Sequence, residues 1–341
     1  MKKIILLFII LLLTGCTNSN KELDTINVLN WSSYIPNEVI TDFEKQYNIK
    51  VNYSTYSSNE ELLAKVSNAK KGTYDLVFPS DYMVEIMKNK DLIEQIDKTK
   101  ISNYKNIEKT FLELNYDLNN EYSIPFLAAS VVLAVNKDLI DIDIKNYNDL
   151  LNEKLKNEIV LVDDARIIIG SSLIANGYAI NSTNEKELEE AKKWLLNLKP
   201  NIKAFDSDSP KSFLITKEAS IGLMWSAEAL LAKIENPNIE IIVPNEGHIV
   251  SIDNFVVMKD SKNMDNVYQF IDYILRSDVM EKIVRNYPYS SVNVYTNKNM
   301  YLDKSFGQSY FDLQNLVSKG RRIKSVGEYI GKYDKIWSSI K

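Results

Sequence analysis

The apolar positions of this chain alternate between two spacings. Val28-Leu29-Asn30-Trp31-Ser32-Ser33-Tyr34-Ile35-Pro36 runs two apolar residues into two aromatics separated by hydroxyls, the pattern of a strand that ends in a recognition surface. Pro36 then opens a helical pattern through Val39, Ile40 and Phe43, and proline suits a helix's first turn. Lys50 to Tyr56 alternates like a strand, and Ser58 with Glu61 predicts a capping box before a helix carrying Leu62, Leu63 and Val66. Asp75-Leu76-Val77-Phe78 reads as a short buried strand delivering Pro79-Ser80-Asp81-Tyr82. The order strand, helix, strand, helix, strand predicts a parallel sheet with helices on both faces. In such sheets ligands sit outside the carboxyl ends of the strands, where Trp31, Tyr34, Ser80 and Tyr82 fall. The same aromatics also fit a plain core role, because they bury large areas wherever they sit.

Further along, Tyr122-Ser123-Ile124-Pro125 and Val131 to Val135 predict strands bridging into a second lobe. There Ile159 to Val162 ends at Asp163-Asp164-Ala165-Arg166, and Ala219 to Met224 ends at Trp225-Ser226-Ala227-Glu228. A helix shows Leu188, Ala191 and Leu195 on one face, and Ile239 to Pro244 is another strand. Ile252 to Val257 is expected to return the chain to the first lobe, and Val267, Phe270, Ile271 and Ile274 mark a core helix after it. A chain of 341 residues with 45% apolar content exceeds one usual domain, so two lobes are expected. The boundaries drawn are residues 25–128 with 253–297 for the N-terminal lobe and 129–252 with 298–341 for the C-terminal lobe.

Composition and the N-terminus narrow the picture. Lys2-Lys3 precede ten apolar residues, Ile4 to Leu13, followed by Thr14-Gly15-Cys16. This reads as a secretory signal, since a spanning helix needs roughly 20 apolar residues. Leu13 to Cys16 resembles the bacterial lipoprotein signal, which implies lipidation of Cys16, a signal peptide over residues 1–15 and a tether over 16–24. Cys16 is the only cysteine, so an internal disulfide is impossible. The net charge of -5 argues against nucleic acid and is compatible with a cationic ligand. A single histidine, His248, excludes multi-histidine metal sites; it lies near a glycine and reads as a solvated loop residue.

Taken in order, Asn30-Trp31 with Tyr34, Tyr74-Asp75-Leu76-Val77 with Pro79-Ser80-Asp81-Tyr82, Tyr122-Ser123-Ile124-Pro125, Asp163-Asp164-Ala165-Arg166, Trp225-Ser226-Ala227-Glu228, Val243-Pro244 with Glu246-Gly247, Asp253-Asn254 and Tyr289-Ser290-Ser291 with Asn293 carry a likeness. From about Asn27 onward the chain resembles the spermidine/putrescine-binding proteins of ABC transporters. That resemblance implies an α/β, two-lobed periplasmic binding protein fold (type II), each lobe a mixed, mostly parallel sheet flanked by helices, with the ligand cleft between lobes. It implies a monomeric, lipid-anchored solute-binding protein outside the cytoplasmic membrane, in the periplasm or at the cell surface. Such a protein hands a polyamine to the permease subunits of an ABC importer, without cofactor, metal or covalent chemistry.

A polyamine is a chain of ammonium groups joined by methylenes, so it needs ring faces and carboxylates. Trp31, Tyr34, Tyr82, Trp225 and Tyr289 are the expected walls, each cation contact contributing roughly 0.5–2 kcal/mol. Asp164, Glu228 and Asp253 are the anionic candidates, and Ser32 and Ser80 can accept hydrogen bonds from ammonium groups. Asp164 could instead pair with Arg166, and Glu228 could serve as a helix's first-turn acid. Asp253 lies at the inferred lobe crossing in a largely apolar segment, with Ile252 before it and Phe255-Val256-Val257 beyond Asn254, where an unpaired carboxylate is costly and a bound cation is an economical explanation. Three positions depart from the family: Ile167 stands where Glu is common, Ser251 where Trp is usual, and Ile323 where some members present Gln. They leave spermidine and putrescine both open. Two rival readings are a binder of another organic cation, such as a thiamine-like molecule or a cationic amino acid, and a secreted carboxylate-dependent hydrolase. The hydrolase lacks a nucleophile-and-base motif.

Overall fold

The computed structural model describes residues 24–302 and 307–341. Cys16 and the expected signal peptide lie outside the described residues. Strand β1 (Asp24–Trp31) pairs in parallel with β2 (Ile49–Tyr56) along its whole length, so that Trp31 comes to lie opposite Tyr56. Between them α1 (Asn37–Tyr47) buries Val39, Ile40 and Phe43, as their spacing predicts. It stops at Asn48, whose φ of 55° is a left-handed conformation that asparagine tolerates. Ser58 caps α2 (Asn59–Asn68) by accepting from the Glu61 N–H at 3.1 Å. The reciprocal half of the predicted box is displaced by one residue, because the Glu61 carboxylate accepts from the N–H of Ser57 at 2.8 Å rather than from Ser58. Strand β3 is only Leu76–Val77, shorter than predicted. The carbonyl of Phe78, next in line, is occupied by the Trp31 indole N–H at 2.9 Å and the Tyr56 hydroxyl at 2.6 Å. Helix α3 (Asp81–Asn89) starts directly after Ser80.

The two bridging strands read from the sequence are one element. Strand β4 (Ile124–Asn136) is 13 residues long and buried at every position. Beyond it come β5 (Ile159–Leu161), α4 (Ala165–Ala175), α5 (Glu185–Leu198), β6 (Ile202–Phe205), α6 (Pro210–Ile215), β7 (Ile221–Trp225), α7 (Ser226–Glu235) and β8 (Ile239–Ile242). Strand β9 (Ile249–Val257) runs back antiparallel to β4, also buried throughout. The chain closes with α8 (Met264–Ile274), α9 (Ser277–Asn286), β10 (Ser290–Ser291), α10 (Val294–Leu302), α11 (Gly307–Val317), β11 (Arg321–Arg322) and α12 (Ile330–Ile340).

The result is a mixed sheet in the order β2-β1-β3-β9-β4-β7-β5-β6, with β8 and β10 beside β4 and β11 beside β9. Its two ends repeat one arrangement: β2-β1-β3 are mutually parallel and meet β9 antiparallel, while β6-β5-β7 are mutually parallel and meet β4 antiparallel. Residues Ile124–Ser130 of β4 pair with β9, whereas Val131–Asn136 pair with β7 and β8. The carboxyl ends of the two parallel sets therefore face each other across the β4–β9 crossing.

His248 corrects the expectation of a solvated loop residue. It is 4% exposed, and its Nε2 lies 3.0 Å from the carbonyl of Leu316. Gly320 makes room for it, since a Cβ there would stand 2.9 Å from His248 Nε2 and 2.0 Å from Val250. Burial pushes the imidazole pKa down, so the ring is a neutral packing element.

Candidate ligand cavity between the strand ends

A cavity opens where the two sets of strand ends meet. Nine of the ten ligand contacts expected from the sequence line it: Trp31, Ser32, Tyr34, Ser80, Tyr82, Asp164, Trp225, Asp253 and Tyr289. They arrive from six places in the fold, Tyr289 from the residue before β10. Trp31 ends β1, Ser80 and Tyr82 flank the start of α3, Trp225 ends β7, Asp164 caps α4, and Asp253 lies mid-strand in β9.

Asp253 organises the first-half wall. Its Oδ1 accepts from the Ser80 hydroxyl at 2.7 Å, and its Oδ2 accepts from the Tyr34 hydroxyl. Ser80 is itself fixed by Asn59, whose amide nitrogen donates to its Oγ at 3.1 Å while the amide oxygen accepts from its N–H at 3.2 Å. The Tyr34 ring stands 4.6 Å from Tyr289 and 6.0 Å from Phe126. The Trp31 ring leans on Tyr56 at 4.5 Å. Asp253 is 7% exposed, and burial pushes its carboxyl from the ordinary 3.8 up to about 6, against the lowering effect of these hydrogen bonds. Both of its hydroxyl partners are neutral, so nothing in its immediate shell cancels the charge of the ionised form. Asp81, next to Ser80, is 1% exposed and is pushed up to about 8, mainly by burial and further by the field of Asp253.

Asp164 does not pair with Arg166 through its side chain. Its Oδ1 accepts from the backbone N–H groups of Arg166 at 2.8 Å and Ile167 at 2.9 Å, the geometry of an N-cap. Burial raises its carboxyl and these backbone bonds oppose the rise. The Arg166 guanidinium turns away, donating to Asn181 at 3.1 Å and to the Lys324 carbonyl at 2.9 Å, with the rings of Tyr82 and Tyr333 at 5.5 and 4.8 Å. Across the mouth, Glu60 accepts from the Tyr82 hydroxyl at 3.3 Å, and desolvation followed by repulsion from Asp164 raises it to about 7.

Glu228 is the exception. It is not among the lining residues; it lies in the first turn of α7, 4% exposed, with its carboxylate held by Lys211 Nζ at 2.8 Å. The expectation of a ligand contact gives way to the first-turn reading, because a buried acid that owns a protein cation has no need of another. The sequence reading also missed lining residues: Tyr56, Ser57, Asn59, Ser207 and Asp208. Tyr56 was findable, since it ends β2 as Trp31 ends β1. Ser207 and Asp208 sit in the loop between β6 and α6, with no apolar pattern to mark it. The three departures, Ile167, Ser251 and Ile323, all line the cavity as well.

The family described as bacterial extracellular solute-binding protein matches residues 38–306. The spermidine/putrescine-binding periplasmic protein of Salmonella typhimurium is 34% identical over 319 residues, covering 93% of this chain and 92% of that protein. Among solved structures, a Listeria monocytogenes protein superposes with a TM-score of 0.88 at 29% identity, covering 93% of this chain and 98% of its own. A lipoprotein of Treponema pallidum does so with a TM-score of 0.84 at 29% identity, covering 93% and 99%.

Proposed function

The chain belongs to the bacterial extracellular solute-binding protein family, and from that premise we propose that it captures a polyamine, spermidine or putrescine, and delivers it to an ABC importer. The observation that carries this reading is Asp253: a buried carboxylate with neutral hydroxyl partners, facing a cavity walled by Trp31, Tyr34, Tyr82, Trp225 and Tyr289. An ammonium group placed there offsets the desolvated charge, while the rings cover the methylenes. The role is binding, with no covalent step, in line with a family of transport proteins rather than enzymes.

Capture in this reading is a closure of two lobes, 25–128 with 253–297 and 129–252 with the C-terminal segment, hinged on β4 and β9. Strand β11 beside β9, with Arg321 opposite Ile249 and Arg322 opposite Val250, adds a third connection at the same place. Cys16 carries a lipid that holds the protein at the outer face of the cytoplasmic membrane; among the described residues no helix is long and apolar enough to cross it. A second reading, another organic cation, draws support from Ile167, Ser251 and Ile323, which put apolar or small groups on the cavity wall.

A calorimetric and thermal-shift screen against putrescine, spermidine, spermine, cadaverine, thiamine and choline separates the two. The preferred ligand at a hundred times its Kd adds about 2.7 kcal/mol of stability. A response to thiamine or choline but to none of the four polyamines overturns the first reading.

A further inference from the structure

Arg166 stands between the two halves of the fold. It is 2% exposed, and the hydrogen bonds that fix it are made to the second half. Nη2 donates to Asn181 Oδ1 at 3.1 Å and to the Lys324 carbonyl at 2.9 Å. Asn181 is held in turn: its Oδ1 also accepts from the Lys324 N–H at 2.8 Å, and its amide nitrogen donates to the Arg322 carbonyl at 2.9 Å. The Tyr333 ring lies 4.8 Å from the guanidinium carbon, and its hydroxyl donates to the Ser182 carbonyl at 2.9 Å. Nε of Arg166 is buried without an acceptor among the described residues, so hydrogen bonds do not fully meet the charge and ring faces share the task.

The other ring belongs to the first half. Tyr82, in the first turn of α3, lies 5.5 Å from the guanidinium carbon, within cation–π reach. Tyr82 lines the cavity and is tied to its own side, its hydroxyl donating to Glu60 at 3.3 Å, whereas Arg166 is not on the lining. A ligand wall from one half thus rests on a cation carried by the other, and each partner is fastened where it stands. Resting on the closure proposed above, we propose that Arg166 is a positioning residue that holds the cavity closed on a bound polyamine: its guanidinium latches the Tyr82 ring from the opposite half without touching the ligand. A guanidinium is weakly hydrated for a cation and stacks well on ring faces, so little is lost when water gives way to Tyr82. The latch forms after the amine has entered an open cleft and must break before the amine leaves. It therefore acts on release rather than capture, and by the same factor for every amine, because both of its partners are protein.

Arg166→Met keeps an unbranched apolar stem and removes the charge. Stopped-flow kinetics of the parent and this variant with putrescine and spermidine, at fixed salt, reads kon and koff. For both amines koff should rise about tenfold, the scale of one desolvated cation–π contact, with kon within about twofold of the parent. Arg166→Lys should recover part of the slow release. In a Tyr82→Leu background, where a wall is lost and release is already faster, Arg166→Met should add no further increase. A koff within about twofold of the parent, or a rise that persists in full in the Tyr82→Leu background, overturns the proposal. A purely structural role lowers the unfolding midpoint and leaves koff uncoupled from Tyr82. Should Arg166→Met fold poorly, Arg166→Gln, which keeps a planar amide donor and loses the charge, is judged by the same two results. Solution scattering of the parent separates the failures. A radius of gyration unchanged at saturating amine defeats the closure reading and the latch with it, whereas a parent that contracts beside variants that release no faster defeats only the latch. A parent that binds neither amine defeats the polyamine reading and, with it, a latch on a bound polyamine.

Discussion

Ser80 and Asp253, 173 residues apart in sequence, are bridged as antiparallel partners, and the Ser80 hydroxyl donates to Oδ1 of Asp253 at 2.7 Å. With Tyr34 on Oδ2, both oxygens of the acid are fixed in place before any ligand arrives. Preorganisation of this kind leaves less to be ordered on binding.

Asp253→Asn should therefore be the most costly single change in the cavity. It keeps the shape and removes the charge, leaving a desolvated ammonium without its partner, a penalty of roughly 2–5 kcal/mol. Affinity for polyamines should fall by about 30-fold to several thousand-fold, at about 1.4 kcal/mol per factor of ten. Calorimetry at fixed salt measures it; undiminished affinity for every polyamine removes this carboxylate from the site.

Affinity should also depend on pH in a direction set by the same group. In the unfolded chain the Asp253 carboxyl loses its proton near 3.8, and in the folded protein near 6. Between those values the folded state holds the extra proton, so this group's contribution to stability falls as pH rises from about 4 to about 6, by something like 3 kcal/mol, and is constant above. A bound ammonium stabilises the ionised form. Polyamine affinity should therefore rise with pH through about 6 and then level off, with proton release on binding at pH 5. Titrations in buffers of different ionisation heat read the released proton. Asp81→Asn, run in parallel, removes the neighbouring acid whose pKa lies near 8. An affinity flat from pH 5 to 7 contradicts the assignment.

Ile167→Glu places an acid on the cavity lining one helical turn from Asp164. The parent residue is 1% exposed and its N–H donates to the Asp164 carboxylate, so the free protein should lose stability through repulsion between the two acids. With ligand the balance reverses: spermidine should gain about tenfold over putrescine, because only the longer amine brings a third charge to the new partner. The two affinities measured side by side decide it, and an unchanged ratio places residue 167 out of the ligand's reach.

Ser58→Ala tests the folding of the first half without touching the cavity. It removes the cap on the Glu61 N–H, at a cost of about 1 kcal/mol. Urea unfolding should show that loss with polyamine affinity unchanged; no change in midpoint means that the Glu61 contact with Ser57 suffices to hold the helix start.

Cys16→Ser should leave the folded protein intact and release it from the membrane fraction, since a single lipidated residue is the only anchor proposed. Fractionation after a high-salt wash reads this directly, and a variant that stays fully membrane-bound with its signal removed argues against lipidation.

Strand ends were the most legible part of the sequence. The rule that ligands meet the carboxyl ends of parallel strands placed Trp31, Ser80, Asp164 and Trp225 on one cavity because each follows an unmistakable apolar run. Applied to β2, the same rule would have added Tyr56. Asp208 was beyond it, being exposed in a loop between short elements whose position depends on tertiary packing. Glu228 was misplaced because it lies three residues past the end of β7, in the first turn of α7, where its carboxylate meets Lys211 of α6 instead of lining the cavity. His248 looked solvated because its neighbouring glycine suggested a turn; the space that buries it comes from Gly320, far along the chain.

The return of β9 to the first half has a consequence for how the chain is made. Leu76 of β3 pairs with Val257, and Ile124 of β4 with Phe255, so the N-terminal portion of the sheet lacks its central strand until the residues of β9 have been synthesised. Pairings this distant form slowly, since the loop must close before any contact rewards it. A nascent chain led by the proposed secretory signal thereby gains time as an unstructured thread, and translocation can proceed before a folded body exists to jam the passage.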